Sequence, residues 1–235
     1  MTGAGRTPRV HPAATCRGYR SDMSNPVVAV ERVQSPAEEL VNAISHGVGA
    51  VIGAVALVWM VILASGPLEL VAGGIHGSSA VALFSASTVY HAVRRPRAKE
   101  ILQAVDHVAV HGLIAGTYTP FALLALGGAR GWGLFAAVWT LAIAGMVFEA
   151  RFTNRYPRIS TVLYLATGWV GILAVGPLLS ALPVAAVLWL LAGGLSYTVG
   201  VWFFVKDGPY HHALWHGFVI AGAVCHFVAS LGYVL

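Results

Sequence analysis

Histidines and one aspartate interrupt stretches of this chain that are otherwise apolar. His212 and His216 stand four residues apart, so on a helix both imidazoles project from one face. His91 follows Ser87 by the same interval, and Asp106 is followed directly by His107. An ionisable group inside an apolar helix is costly unless it is satisfied, which makes each of these residues a functional hypothesis. Three imidazoles beside a carboxylate suit zinc, whose catalytic sites use three protein ligands and keep a fourth position for water. We assign His91, His212 and His216 as ligands and Asp106 as the group that holds and deprotonates the water. Ser87 has three open roles: hydrogen bonding to the water, to Asp106, or to a tetrahedral oxyanion. Zinc rests on ligand type alone, because imidazole also suits iron, nickel and copper.

Each residue also has a plainer reading. An isolated HxxxH pair is more often an interfacial coincidence than a metal site. His91 alone fits an interfacial residue beside a basic loop, Asp106 alone a partner for Arg94 or Lys99, and Ser87 alone a helix-packing serine bonded to its own backbone. His107 is the chief rival ligand and repeats the four-residue spacing with His111, but it points roughly 100° away from Asp106 around the helix. His76 and His226 fall toward the midplane or the opposite leaflet. His46, with Asn42 and Glu39 on one stripe, forms a second polar patch or caps its helix. No HExxH or GxSxG motif is present, and no lysine lies in the last apolar block, which disfavours a retinal protein.

Only a membrane bundle positions these residues. The chain is 57% hydrophobic and 10% charged, where globular domains carry roughly a quarter charged residues. Apolar blocks at about 38–64, 68–93, 101–126, 132–150, 159–180, 183–204 and 212–234 are each long enough to cross about 30 Å of hydrocarbon as helix. The expected fold is an all-α bundle of seven transmembrane helices over residues 37–235. Residues 1–36 form a polar tail, expected to be disordered and lacking the apolar core of a signal peptide, with Met23 as a second candidate start. Ser35, Pro36 and Glu38 fit a capping box at the first helix. Pro157, Pro183 and Pro209 stand near helix starts, and Pro177 should kink the fifth helix near its end. Ser45, Gly49 and Gly53 make a small-residue ridge for close helix packing. Trp132 and Tyr233 at one boundary, and Tyr156 and Tyr210 at the other, fit interfacial anchors.

Charge sets the orientation. Arg94, Arg95, Arg97, Lys99, Arg151, Arg155, Arg158 and Lys206 fall in loops on one side, against Arg130 on the other, so the N-terminus is expected in the cytoplasm and the C-terminus outside. The net charge of +5 is spread over these loops rather than on one face, so no nucleic-acid partner is expected. Cys16 and Cys225 lie in different environments and are not expected to pair. With this topology His91 ends the second helix, while Asp106 and His212 lie near the starts of the third and seventh. At about 1.5 Å rise per residue all of them fall within roughly 10 Å of the cytoplasmic boundary. That shared depth carries more weight than any single motif.

At these residues the chain resembles the hemolysin III family, the bacterial branch of the progestin and adipoQ receptor (PAQR) membrane proteins. The matching stretches are Glu39-Leu40-Val41-Asn42-Ala43-Ile44-Ser45-His46-Gly47, Ser87-Thr88-Val89-Tyr90-His91, Asp106-His107 running on to Ala115-Gly116-Thr117-Tyr118-Thr119-Pro120, and His212-Ala213-Leu214-Trp215-His216. The resemblance covers nearly everything after residue 36. It implies seven helices with a cytoplasmic N-terminus in the cell membrane, zinc on His91, His212 and His216, and Asp106 beside a water. It also implies relatives that act as receptors with lipid-amide hydrolase activity, and a bacterial name derived from cell lysis.

Three functions follow as expectations. The first is a zinc-dependent intramembrane hydrolase cleaving a lipid amide or ester. The second is a cytolytic membrane protein, disfavoured because these helices are too apolar to line a wide channel. The third is a receptor or sensor with structural zinc, disfavoured by the short inner loops.

Overall fold

In the computed structural model, residues 32–206 and 208–235 are described, and among them there is no strand. The chain winds through α1 (Pro36–Leu63), α2 (Pro67–Ala92), α3 (Pro96–Pro120), α4 (Gly128–Phe152), α5 (Pro157–Gly168), α6 (Val175–Ala181), α7 (Val184–Lys206) and α8 (His211–Tyr233). α3 runs on through a π-helical turn, Phe121–Leu126, and α5 and α6 form one span, giving 7 helices long and apolar enough to cross a membrane. The polarity of a globular protein is inverted. Val, Leu, Ile and Trp side chains cover the outside, whereas Glu38, His76, His91, Asp106, His111, Glu149 and His216 are buried. Such a surface is stable only against lipid.

Local sequence accounts for the boundaries. Ser35 caps α1 as expected: its hydroxyl accepts from the Glu38 amide at 3.3 Å, and its own amide donates to Glu38 Oε2 at 2.9 Å. Prolines occupy the first position of α1, α2, α3 and α5, where the missing N–H has no intrahelical partner in any case. α3 therefore opens at Pro96, ahead of the expected 101, and draws Arg97, Lys99 and Glu100 into its first turns. The stretch expected as tail ends in contacts with the bundle, since Arg32 pairs with Glu38 and Asn42 donates to Gln34. The remaining tail expectations, with Met23 and Cys16, lie outside the described residues.

The fifth span departs furthest from expectation. The distortion lies upstream of Pro177, as a 3₁₀ segment Val170–Ala174 separating α5 from α6. A proline ring crowds the carbonyl four residues before it, here Leu173, so the ladder fails in the turn preceding Pro177 rather than after it.

The helices close into a ring. α1 packs on α2 and α8, α2 on α3, α3 on α4 and α7 on α8, while α5 bridges α4 and α7 more sparsely. The innermost layer joins Ala56 and Met60 of α1, Phe84 of α2, Leu113 of α3 and Phe227 of α8. The α1–α2 seam is tight: a Cβ on Gly49 would lie 2.8 Å from the Phe84 ring, and one on Gly77 would lie 2.7 Å from Leu57 Cα. Gly49 and Gly53 thus serve the seam as expected, but Ser45 turns to α8 instead.

Candidate metal centre

α2 ends, and α3 and α8 begin, at the end of the bundle that carries the basic loops. His91 sits in the last turn of α2 and His212 and His216 in the first turns of α8. The topology brings all three together, with one donor atom from each lying within 4.8 Å of the other two. Their ring centroids are 5.0 Å (His91–His212), 5.1 Å (His91–His216) and 4.6 Å (His212–His216) apart.

Hydrogen bonds decide which nitrogens face inward. His91 Nδ1 lies 2.8 Å from Glu39 Oε2 and donates to it. The other Glu39 oxygen holds Lys99 Nζ at 2.8 Å. Ser45 donates its one proton to the Asn42 carbonyl at 2.9 Å, so toward His216 Nδ1, 3.0 Å away, it can only accept. Both imidazoles are thereby fixed with Nδ1 protonated and Nε2 carrying the lone pair, the arrangement that carboxylate and hydroxyl partners impose on metal-ligating histidines. Nε2 of His91 and Nε2 of His212 are buried without any hydrogen-bond partner. Unpaired buried acceptors are costly, and three neutral imidazoles converging in this way fit a zinc ion by ligand type and number.

Asp106 is buried near His91 and Ser87. The Ser87 hydroxyl is fully buried and faces the Asp106 carboxyl. Lys99 is held by Glu39 and the Tyr90 carbonyl, which makes it a poor candidate to pair with Asp106. His107 turns away from the cluster toward α4, its Nδ1 3.5 Å from Glu149 Oε2. His76 and His226 stand apart at mid-bundle, where His226 Nε2 lies 3.3 Å from the Leu190 carbonyl.

The Glu39, Asn42 and His46 patch joins the histidine cluster instead of standing separately. Glu39 orients His91, and the His46 ring stacks on His216 at 3.4 Å between centroids. Glu38, one residue earlier, accepts from the Tyr210 amide at 2.9 Å, so the start of α1 holds the turn immediately before α8. Tyr210 there adopts a left-handed φ of 58°. The roles of Glu39 and Ser45 depend on which faces of α1, α2 and α8 meet, which spacing within one helix does not reveal. Glu149 escaped notice because a lone carboxylate beside Arg151 reads as the boundary of a span.

A cavity of about 390 Å³ opens from the cluster into the bundle, within the size range of small-molecule sites. Asp106, His107, His212 and His216 line one end, and apolar residues such as Leu113, Phe121 and Leu178 line the remainder. Its wall on α8 extends from His212 to His226, roughly 20 Å at helical rise. The break in the fifth span contributes Gly168, Gly171 and Val175 to the opposite wall.

Residues 34–227 match the family model described as "Haemolysin-III related". A "Hemolysin-3 homolog" of Bacillus subtilis is 42% identical over 200 residues, covering 83% of this chain and 94% of that protein. The "Hemolysin-3" of Bacillus cereus is likewise 42% identical, over 202 residues, covering 84% and 92%. More distantly, the human "Monocyte to macrophage differentiation factor" is 30% identical over 175 residues, 71% of each chain.

Proposed function

This chain belongs to the haemolysin-III-related family of PAQR membrane proteins and is a multi-pass protein of the cell membrane, and from that premise we propose that it is a zinc-dependent hydrolase cleaving an amide or ester bond in a membrane lipid. The observation that carries this reading is the convergence of His91, His212 and His216, with the Nδ1 atoms of His91 and His216 already engaged, at the polar end of an otherwise apolar cavity. Zinc bound there supplies a Lewis acid for the carbonyl oxygen and lowers the pKa of water toward neutrality.

The chain's own residues do the rest. Asp106 takes the proton of the attacking water on its carboxylate and returns it to the departing amine or alcohol. Ser87, fully buried beside Asp106, donates to that carboxyl or to the oxyanion that develops at the carbonyl. The apolar cavity holds the acyl chain and keeps bulk water away. By the asymmetry of Lys and Arg in the loops, this end of the bundle faces the cytoplasm.

Metal analysis of detergent-purified protein should find about one zinc per chain at this site, lost in His212→Ala/His216→Ala. Asp106→Asn should keep that zinc yet lower turnover of a lipid amide by about 10²–10⁴-fold, the usual contribution of a general base. Unchanged turnover in Asp106→Asn overturns the mechanism, and wild type without metal overturns the site.

A further inference from the structure

We propose that Thr117, Tyr197 and His226 form a hydrogen-bonding subsite of the cavity, far from the histidine cluster, that takes a hydroxyl group carried partway along a lipid acyl chain. It rests on the reading of this cavity as the seat of the acyl chain, and it narrows that chain to a hydroxylated one.

The apolar wall of the cavity is interrupted at one level. Thr117 of α3, Tyr197 of α7 and His226 of α8 all line it. Thr117 stands 11 residues beyond Asp106, and His226 stands 10 beyond His216. Both therefore lie roughly 15 Å along their helices from the histidine cluster. The α7–α8 seam is shaped around the two rings. A Cβ on Gly193 of α7 would lie 2.5 Å from His226 Nε2, and one on Gly222 of α8 would lie 2.6 Å from Tyr197 Cε1, so each helix yields a glycine notch to the ring of the other. The ring centroids stand 5.5 Å apart.

Each of the three side chains has hydrogen-bonding capacity left over. His226 Nε2 lies 3.3 Å from the Leu190 carbonyl, which can only accept, so Nε2 carries the proton and Nδ1 of the neutral ring is an acceptor. That Nδ1 is buried without a partner, and so are the hydroxyls of Tyr197 and Thr117. Comparable hydroxyls in the bundle behave differently. Thr88, Thr119, Thr161 and Thr198 donate to the carbonyl four residues back, and Tyr118 and Tyr164 donate to backbone carbonyls of neighbouring helices. Thr117 leaves the local bond unmade although the same backbone option is open to it.

An imidazole acceptor calls for a donor, whereas the two hydroxyls can donate or accept. A ligand hydroxyl meets both demands, donating to His226 Nδ1 and accepting from Tyr197 or Thr117. A keto oxygen answers only the two hydroxyls. A methylene answers none of the three groups and leaves them buried and unpaired, which is unfavourable. A trapped water carries the same donors as a hydroxyl and is the other source of this chemistry.

The test is competition of octadecanoic acid and its mid-chain hydroxy and keto derivatives against a fluorescent fatty acid, on the purified full chain in lipid nanodiscs. The hydroxy acid should bind about tenfold tighter than the plain acid, the worth of two ordinary hydrogen bonds, with the keto acid between them. A hydroxyl moved beside the carboxyl should lose the preference. Tyr197→Phe should lower the ratio of hydroxy to plain affinity, and Tyr197→Phe/Thr117→Val should bring it toward one. A ratio taken within one protein does not depend on the fraction folded. Equal affinity of wild type for the hydroxy and plain acids would mean that water fills the subsite and overturns the proposal, as would no binding of either or an unchanged ratio in the double variant. Binding is read without turnover, so this result stands or falls separately from the hydrolysis test on Asp106→Asn.

Discussion

Glu39 divides its two oxygens between partners of opposite purpose. One holds the His91 imidazole at 2.8 Å and the other holds Lys99 at the same distance. The lysine keeps the carboxylate anionic, and the anion keeps the proton on His91 Nδ1, so that Nε2 stays a lone-pair donor. Glu39→Gln preserves the shape and removes the charge. Its zinc affinity should fall by about 10–100-fold, measured by competition with a chromophoric chelator, with helix content by circular dichroism unchanged. An affinity equal to wild type would show that His91 needs no such partner. The same logic gives a pH dependence. Imidazole ligates only when neutral, so metal affinity should fall on acidification as protons compete with the ion for the ligand nitrogens. Affinity unchanged down to the pH at which the chain unfolds would point to ligands other than histidine.

At the scale of elements, the site depends on seams between helices that carry no ligand themselves. α1 contributes none of the three histidines, yet it brings Glu39, Ser45 and His46 to the cluster through its seam with α2. Gly77→Val places a side chain against the Leu57 backbone, where the Cβ alone would be 2.7 Å from Cα. Overpacking of this kind costs about 1–3 kcal/mol. It should lower the thermal midpoint in detergent and weaken metal binding together, and a variant as stable as wild type would mean that the seam yields freely. The seven spans were legible in the sequence because length and hydropathy are local properties. The start of α3 was placed late because Arg97, Lys99 and Glu100 read as loop, although Pro96 can open a helix ahead of them. That His91, His212 and His216 would meet was legible because depth follows from counting residues along each span. Glu39, Ser45 and Glu149 were not, because their partners lie on other helices and only packing decides which faces meet.

The molecule as a whole is a ring of helices around a cavity whose fifth span is both broken and the least buried of the seven. Its orientation is open to direct measurement. On the loop charges, a cysteine at Arg130→Cys should react with an impermeant maleimide on intact cells, and one at Arg155→Cys only after permeabilisation, in a chain whose native cysteines are replaced. The reverse pattern would invert the topology and place the histidine cluster outside. The ring also ties the histidine cluster to the order of synthesis. His91 closes the second span, whereas His212 and His216 open the last, and α8 packs on α1. A ribosome must therefore deliver almost the whole chain into the bilayer before three imidazoles can meet. A chain halted before residue 211 would hold His91 and Asp106 without their partners, so on the proposed reading an ion captured there would report that the last span has been made.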